Sequence, residues 1–268
     1  MEILGYILAI IVGVSLGLIG SGGSILTVPI LVYIMNVQPT QATAYSLFIV
    51  GATALVGGVQ SAMQRKVDFK TAIIFGIPSI AAVYATRLWL MPLIPQELLH
   101  IGDWVLTKNV ALMIFFAFFM ILASFSMIRS GGDKGKPEPE EAEITYNYPL
   151  ILLEGSVVGV LTGLVGAGGG FLIIPALVLL AKMPMRLAVG TSLFIIAAKS
   201  LIGFVGDMQG SAELNWTLLG IFTLASVVGI FIGNYLTKFI AGAKLKTSFG
   251  WFVLIMGIYI IAKETIFK

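Results

Sequence analysis

Long apolar runs separated by short polar joints set the pattern of this chain. They recur at about 3–20, 24–35, 41–60, 70–91 and 108–129, then again at about 148–166, 170–181, 187–206, 215–238 and 247–267. Most are long enough, at about 20 residues, to cross about 30 Å of hydrocarbon as a helix. None shows the short alternating segments, about ten residues each, that a membrane β-barrel requires. The pattern predicts an all-α polytopic membrane protein. The second run of each set is the exception. It is too short to cross alone, is entered through glycines and contains Pro29 or Pro175.

The two sets are one set written twice. Gly17-Leu18-Ile19-Gly20-Ser21-Gly22-Gly23-Ser24 aligns without a gap on Gly163-Leu164-Val165-Gly166-Ala167-Gly168-Gly169-Gly170 at a shift of 146 positions. The match continues through Pro29/Pro175, Ala42/Ala188 and Ser46–Ile49 against Ser192–Ile195. Residues 1–130 therefore read as a first transmembrane repeat, 131–147 as a flexible linker rich in Gly, Pro and Glu, and 148–268 as a second repeat. Short Gly/Pro-interrupted segments at matched places in two halves are the mark of discontinuous or re-entrant helices near the bilayer midplane.

Charge placement orients the repeats. Arg65, Lys66 and Lys70 put the loop after the third run in the cytoplasm, while Glu97, His100 and Asp103 put the next loop outside. In the second half the signs exchange: Lys182 and Arg186 precede the third run, and Lys238, Lys244 and Lys246 follow the fourth. Equivalent loops then lie on opposite sides, so the duplication is predicted to be inverted, with a cytoplasmic linker and external termini. Lys263 and Lys268 mildly resist the last point. Glu2 precedes the first run with no basic residue, so that run reads as a helix and not as a cleavable leader.

Composition narrows the function. The chain is 58% hydrophobic and 11% charged, with mean hydropathy +1.03, far too little charge to cover a water-facing surface. The net charge of +3 comes from residues at segment ends, so it predicts topology and no nucleic-acid partner. The absence of cysteine excludes disulfides, thiolate catalysis and Cys-bound metal. With one histidine in a loop and few buried carboxylates, neither an enzyme, a cofactor nor a metal is expected.

The breaks carry the chemistry. In hydrocarbon, a broken helix strands backbone N–H and C=O groups unless they line a cavity or meet a ligand. N–H groups at Gly22, Gly23 and Ser24, and at Gly168, Gly169 and Gly170, would combine with a helix dipole to hold an anion without a basic side chain. The competing reading is that the glycines only let helices pack closely. Lys199 lies deep in the eighth run, where a lysine is expensive and points to function. Its repeat partner is Thr53. An internal ion pair with Glu154 is the structural alternative, and Glu154 is equally a candidate proton-coupling group. Thr43, Ser46, Thr191 and Ser192 would donate to an oxyanion, although helical hydroxyls commonly bond their own backbone. Gln60 and Asn234 are ambiguous. Arg87, one turn from a helix end, is expected to snorkel to the interface.

The paired stretches, with Ala188-Val189-Gly190-Thr191-Ser192 after the second, resemble the TauE/SafE family of bacterial sulfite exporters. The resemblance covers nearly the whole chain, although Ala42-Thr43-Ala44-Tyr45-Ser46 departs from the family string in the first half. It implies an inner-membrane permease for sulfur-containing anions such as sulfite, sulfoacetate or other organosulfonates. Residues and resemblance together lead to a secondary transporter, an exporter, working by alternating access on a small anion. A passive anion channel and a permease for small carboxylates stay open, as does association into a homo-oligomer.

Overall fold

The computed structural model describes residues 2–101, 104–131, 148–166, 168–170, 173–174, 177, 183–208, 214–236 and 242–266. Residues 132–147 of the linker and Pro175 lie outside the described residues.

Helix α1 (Glu2–Ile19) runs into the first break, which is a 3-10 helix over Gly20–Leu26, a short α2 (Thr27–Pro29) and a π turn over Ile30–Ile34. Helix α3 (Pro39–Met63) starts where Gln38 is extended and Pro39 supplies a preset φ without wasting an N–H. Asp68 caps α4 (Phe69–Ala85) by accepting from the backbone N–H groups of Lys70 and Thr71. Helix α4 continues through a π turn over Thr86–Leu90 into α5 (Met91–Leu93). A hairpin of β1 (Glu97–Ile101) and β2 (Trp104–Thr107) then leads to α6 (Lys108–Gly131). The second half supplies α7 (Tyr148–Val165), α8 (Met185–Met208), α9 (Trp216–Leu236) and α10 (Gly242–Thr265). Among the described residues five helices have the length and apolarity to cross a membrane, and three apolar helices are shorter. The small antiparallel hairpin is an addition to the all-α expectation.

The halves are interleaved. Helix α1 packs along α9 of the other half, and α7 packs along α4. The third helices, α3 and α8, pack together at the centre, and α6 pairs with α10. Individual contacts repeat with the halves exchanged. Gly13 of α1 meets Ser226 and Gly229 of α9, while Gly159 of α7 meets Ser79 and Ala82 of α4. Helices α3 and α8 run antiparallel, since Gly51 meets Leu201 and Gly58 meets Phe194. The rings of Phe48 and Phe204 lie 5.1 Å apart. Small residues permit these close approaches, which bring backbones into van der Waals range where no hydrophobic drive exists between helices.

The core holds Leu16, Ile25, Leu47, Ile49, Ile173, Ile196 and Phe222, all essentially inaccessible. The outer faces carry exposed Ile7, Ile77, Leu224, Phe231 and Ile255. Apolar side chains on the outside and polar ones within (Ser24, Ser46, Thr53, Lys199 and Ser200 are fully buried) match a chain built for a lipid solvent.

Candidate functional site: where the two breaks meet

Both breaks begin with a left-handed glycine, Gly20 at φ +72° and Gly166 at φ +74°. Only glycine adopts this region without a steric cost. Each touches the other half at a matched residue: a methyl on Gly20 would stand 2.6 Å from Val189 Cγ1, and one on Gly166 would stand 2.5 Å from Thr43 Cα. Thr43 and Val189 are themselves equivalent at the 146-residue shift.

Two residues later the breaks differ. The first winds through Gly22, Gly23 and Ser24 as a 3-10 helix, with Thr27 N–H bonding Ser24 C=O. Bonds from i to i+3 engage all but its first few N–H groups. The second turns through Gly168 and Gly169, at φ +66° and +62°, before a helical turn restarts. There the Ile173 N–H bonds the Gly169 C=O at 3.2 Å.

The breaks converge. A methyl on Gly168 would lie 3.6 Å from Ser24 Cβ, between Val50 Cγ1 and Ile196 Cγ2, which are equivalent positions of α3 and α8. One residue on, a methyl on Gly169 would overlap Thr162 Oγ1 and stand 2.8 Å from Lys199 Nζ. Lys199 is completely buried, and its ammonium donates to Thr162 Oγ1 at 2.9 Å. The Thr162 hydroxyl donates in turn to Val158 C=O at 2.6 Å, which fixes its lone pairs toward the ammonium. Lys199 forms no ion pair with Glu154, which sits half-buried on α7. An ammonium has three N–H donors. The described surroundings use one of them and give the charge no counter-ion.

The remaining candidates are dispersed. Thr43 Oγ1 donates to Thr40 C=O at 2.8 Å and accepts from Arg87 Nη1 at 3.1 Å. Ser46 is buried with no hydrogen-bond partner for its hydroxyl. Thr191 Oγ1 accepts from the Asp68 N–H at 2.9 Å, and Ser192 donates to Val189 C=O at 2.8 Å. Gly170 opens the helical turn after Gly169. Among the described residues no group of His, Asp and Glu is arranged to hold a metal.

A family model for the sulfite exporter TauE/SafE matches residues 6–260. The chain belongs to the TauE/SafE sulfite exporter family. Its relatives are membrane transporters by name. A "probable membrane transporter protein" of Xylella fastidiosa (strain Temecula1) is 29% identical over 94% of this chain and 91% of its own. YunE of Bacillus subtilis (strain 168), a "probable membrane transporter protein", is 30% identical over 95% of this chain and 93% of its own. MJ0441 of Methanocaldococcus jannaschii carries the same description and is 35% identical over 48% of this chain. No solved structure matches. Family membership and the apolar helices make this a multi-pass membrane transporter.

The expectation that Arg87 snorkels is overturned in this TauE/SafE protein. Arg87 is 2% exposed and faces Asp207 of α8, with Nη1 3.4 Å from the carboxylate. Its place in the π turn explains the difference. A π turn takes an extra residue per turn and re-aims what it carries. Asp207 and Thr162 are further polar partners that sequence reasoning passed over. Their signal is weak, because each lies in an unremarkable run and its partner comes from another helix. Gln60 and Asn234, ambiguous in sequence, are partners: Asn234 Nδ2 donates to Gln60 Oε1 at 2.5 Å.

Proposed function

We propose that this protein is a secondary transporter that exports small sulfur-containing oxyanions across the bacterial inner membrane. The anion binds between the converging breaks, held by Lys199 and by backbone N–H groups of the glycine turn at Gly168 and Gly169. A sulfite or sulfonate group offers three acceptor oxygens and dispersed charge, which suits one ammonium and several backbone donors. The single observation that carries this reading is a fully buried lysine with no counter-ion among the described residues, aimed at a glycine turn. A charge so placed is costly unless a ligand neutralises it.

The route is alternating access between two inverted repeats. The exchanged contacts of Gly13 and Gly159, and the antiparallel run of the equivalent helices α3 and α8, support it. Two halves related in this way present the same elements to opposite membrane faces, so a rocking motion about the shared centre opens one side while it closes the other.

Reconstituted vesicles loaded with sulfite, sulfoacetate, taurine, acetate or phosphate test the reading. Sulfite and sulfoacetate should leave faster than acetate or phosphate. Lys199→Ala should reduce that flux about tenfold or more, the scale of one charge-assisted contact. Equal flux of all five anions, or wild-type flux in the variant, would overturn it.

A further inference from the structure

Lys199 is not the only buried cation whose donors exceed its partners. The side chain of Arg87 is fully buried, and Nη1 makes all of its described polar contacts, to Thr43 Oγ1 at 3.1 Å and to Asp207 Oδ1 and Oδ2, each at 3.4 Å. Nε and Nη2 are buried without a hydrogen-bond partner among the described residues, and Asp207 Oδ2 has only its ion pair with Nη1. The Nε–Nη2 edge of a guanidinium is a planar fork that accepts two oxygens of one oxyanion side by side. Here that fork is unspent. Buried N–H groups without a protein partner are costly to leave unsatisfied, and an oxyanion that enters would satisfy them.

The surroundings favour an anion. Lys108, at the start of α6, is 5% exposed, lies within Coulombic reach of Arg87 and gives its own hydrogen bond to Met91 C=O. Two buried cations thus lie near each other, and the described carboxylate that pairs with Arg87 is Asp207. The fork is also linked to the second break, since Thr43, which accepts from Arg87, is the residue that presses on Gly166. Asp207 lies eight residues beyond Lys199 on α8, roughly 12 Å along the helix.

The molecule contains its own control. At the shift of 147 set by the contacts of Gly13 and Gly159, Arg87 is equivalent to Asn234 and Asp207 to Gln60. At the other end of the bundle those two amides make the neutral bond Asn234–Gln60. Joining a fourth helix to a third helix of the other half therefore does not require charge.

We infer that Arg87 forms a second oxyanion station, with its Nε–Nη2 fork taking two oxygens of an anion passing to or from Lys199. Asp207 is the resident counter-ion that holds the guanidinium when no anion is there. This rests on the anion-transporter reading given above.

The test uses the full chain in vesicles, with sulfite as probe, and equilibrium sulfite binding in detergent. The double variant Arg87→Asn/Asp207→Gln installs the kind of neutral pair that the chain already uses at Gln60 and Asn234. It should fold and should bind sulfite within about threefold of wild type through Lys199, but move it about tenfold more slowly or worse. Arg87→Lys, which keeps the charge and loses the fork, should also slow flux severalfold and raise the KM for sulfite, and it serves should the double variant fail to fold. Wild-type flux in either variant would reduce Arg87 and Asp207 to a structural latch and overturn the inference. If Lys199→Ala abolishes flux while both Arg87 variants retain it, the transporter reading stands and this inference alone falls. If wild type moves no sulfite, both fall.

Discussion

Gly20 and Gly166 occupy matched places in the two halves, hold nearly the same φ and touch matched residues, Val189 and Thr43. Around them the chemistry differs. Where the second half has Thr162 and Lys199, the first has Leu16 and Thr53, and Thr53 turns its hydroxyl back to Ile49 C=O at 2.7 Å. Where one end of the bundle closes on Arg87 and Asp207, the other closes on Asn234 and Gln60. Duplication has kept the backbone geometry and let the charges diverge. The glycine framework belongs to the fold, which both halves need. The charges are unshared: Lys199 of the second half has Thr53 as its counterpart, and Arg87 of the first half has Asn234.

The largest stability effects should come from the glycines, and they should be unequal. Gly166→Ala places its methyl against the Thr43 backbone, which cannot yield, whereas Gly20→Ala meets a Val189 methyl, which can rotate. Both incur about 1–2 kcal/mol for the left-handed φ, and the clash should bring Gly166→Ala to about 3 kcal/mol or more. Thermal unfolding in detergent checks the order; a Gly20→Ala loss equal to or above that of Gly166→Ala would break the distinction. A middle effect is expected at the threonines. Thr162→Val removes the described partner of the Lys199 ammonium and should cost about 2 kcal/mol in the absence of anion. Thr53→Val, which removes a bond to its own helix, should cost less than about 1 kcal/mol. Equal losses would mean that the ammonium does not depend on Thr162. The smallest effect should be that of Asn234→Ala, at about 1 kcal/mol or less, because the Gln60–Asn234 pair is only half-buried. A loss comparable to that of Gly166→Ala would show that the neutral latch holds the bundle together.

The spans were legible because lipid enforces one rule everywhere: about 20 apolar residues per crossing, with polar joints between. Segments read at 41–60 and 187–206 correspond to α3 at Pro39–Met63 and α8 at Met185–Met208. The duplication was legible because glycines at forced backbone positions resist change, as Gly20 and Gly166 do. The depth of Lys199 was legible from its distance to either segment end. Pairing was not. Arg87 meets Asp207 across 120 residues, and Asn234 meets Gln60 across 174. No local pattern encodes which faces of α4 and α8, or of α9 and α3, will meet. Arg87 also sits where position alone suggests escape to the interface, and only the π turn over Thr86–Leu90 turns it inward. Glycine content likewise did not reveal that the first break stays helical through Gly22 and Gly23 while the second turns at Gly168 and Gly169.

The central claim, that Lys199 and the second break hold a sulfur oxyanion, is tested most directly by equilibrium binding. Sulfite, sulfate, sulfoacetate, taurine, acetate and phosphate are titrated at fixed ionic strength into purified wild type and Lys199→Ala, with thermal stabilisation as the signal. The account predicts stabilisation by sulfite and sulfoacetate in wild type, weakened about tenfold or more in the variant. Stabilisation that survives unchanged in Lys199→Ala, or that all six compounds give alike, would contradict it.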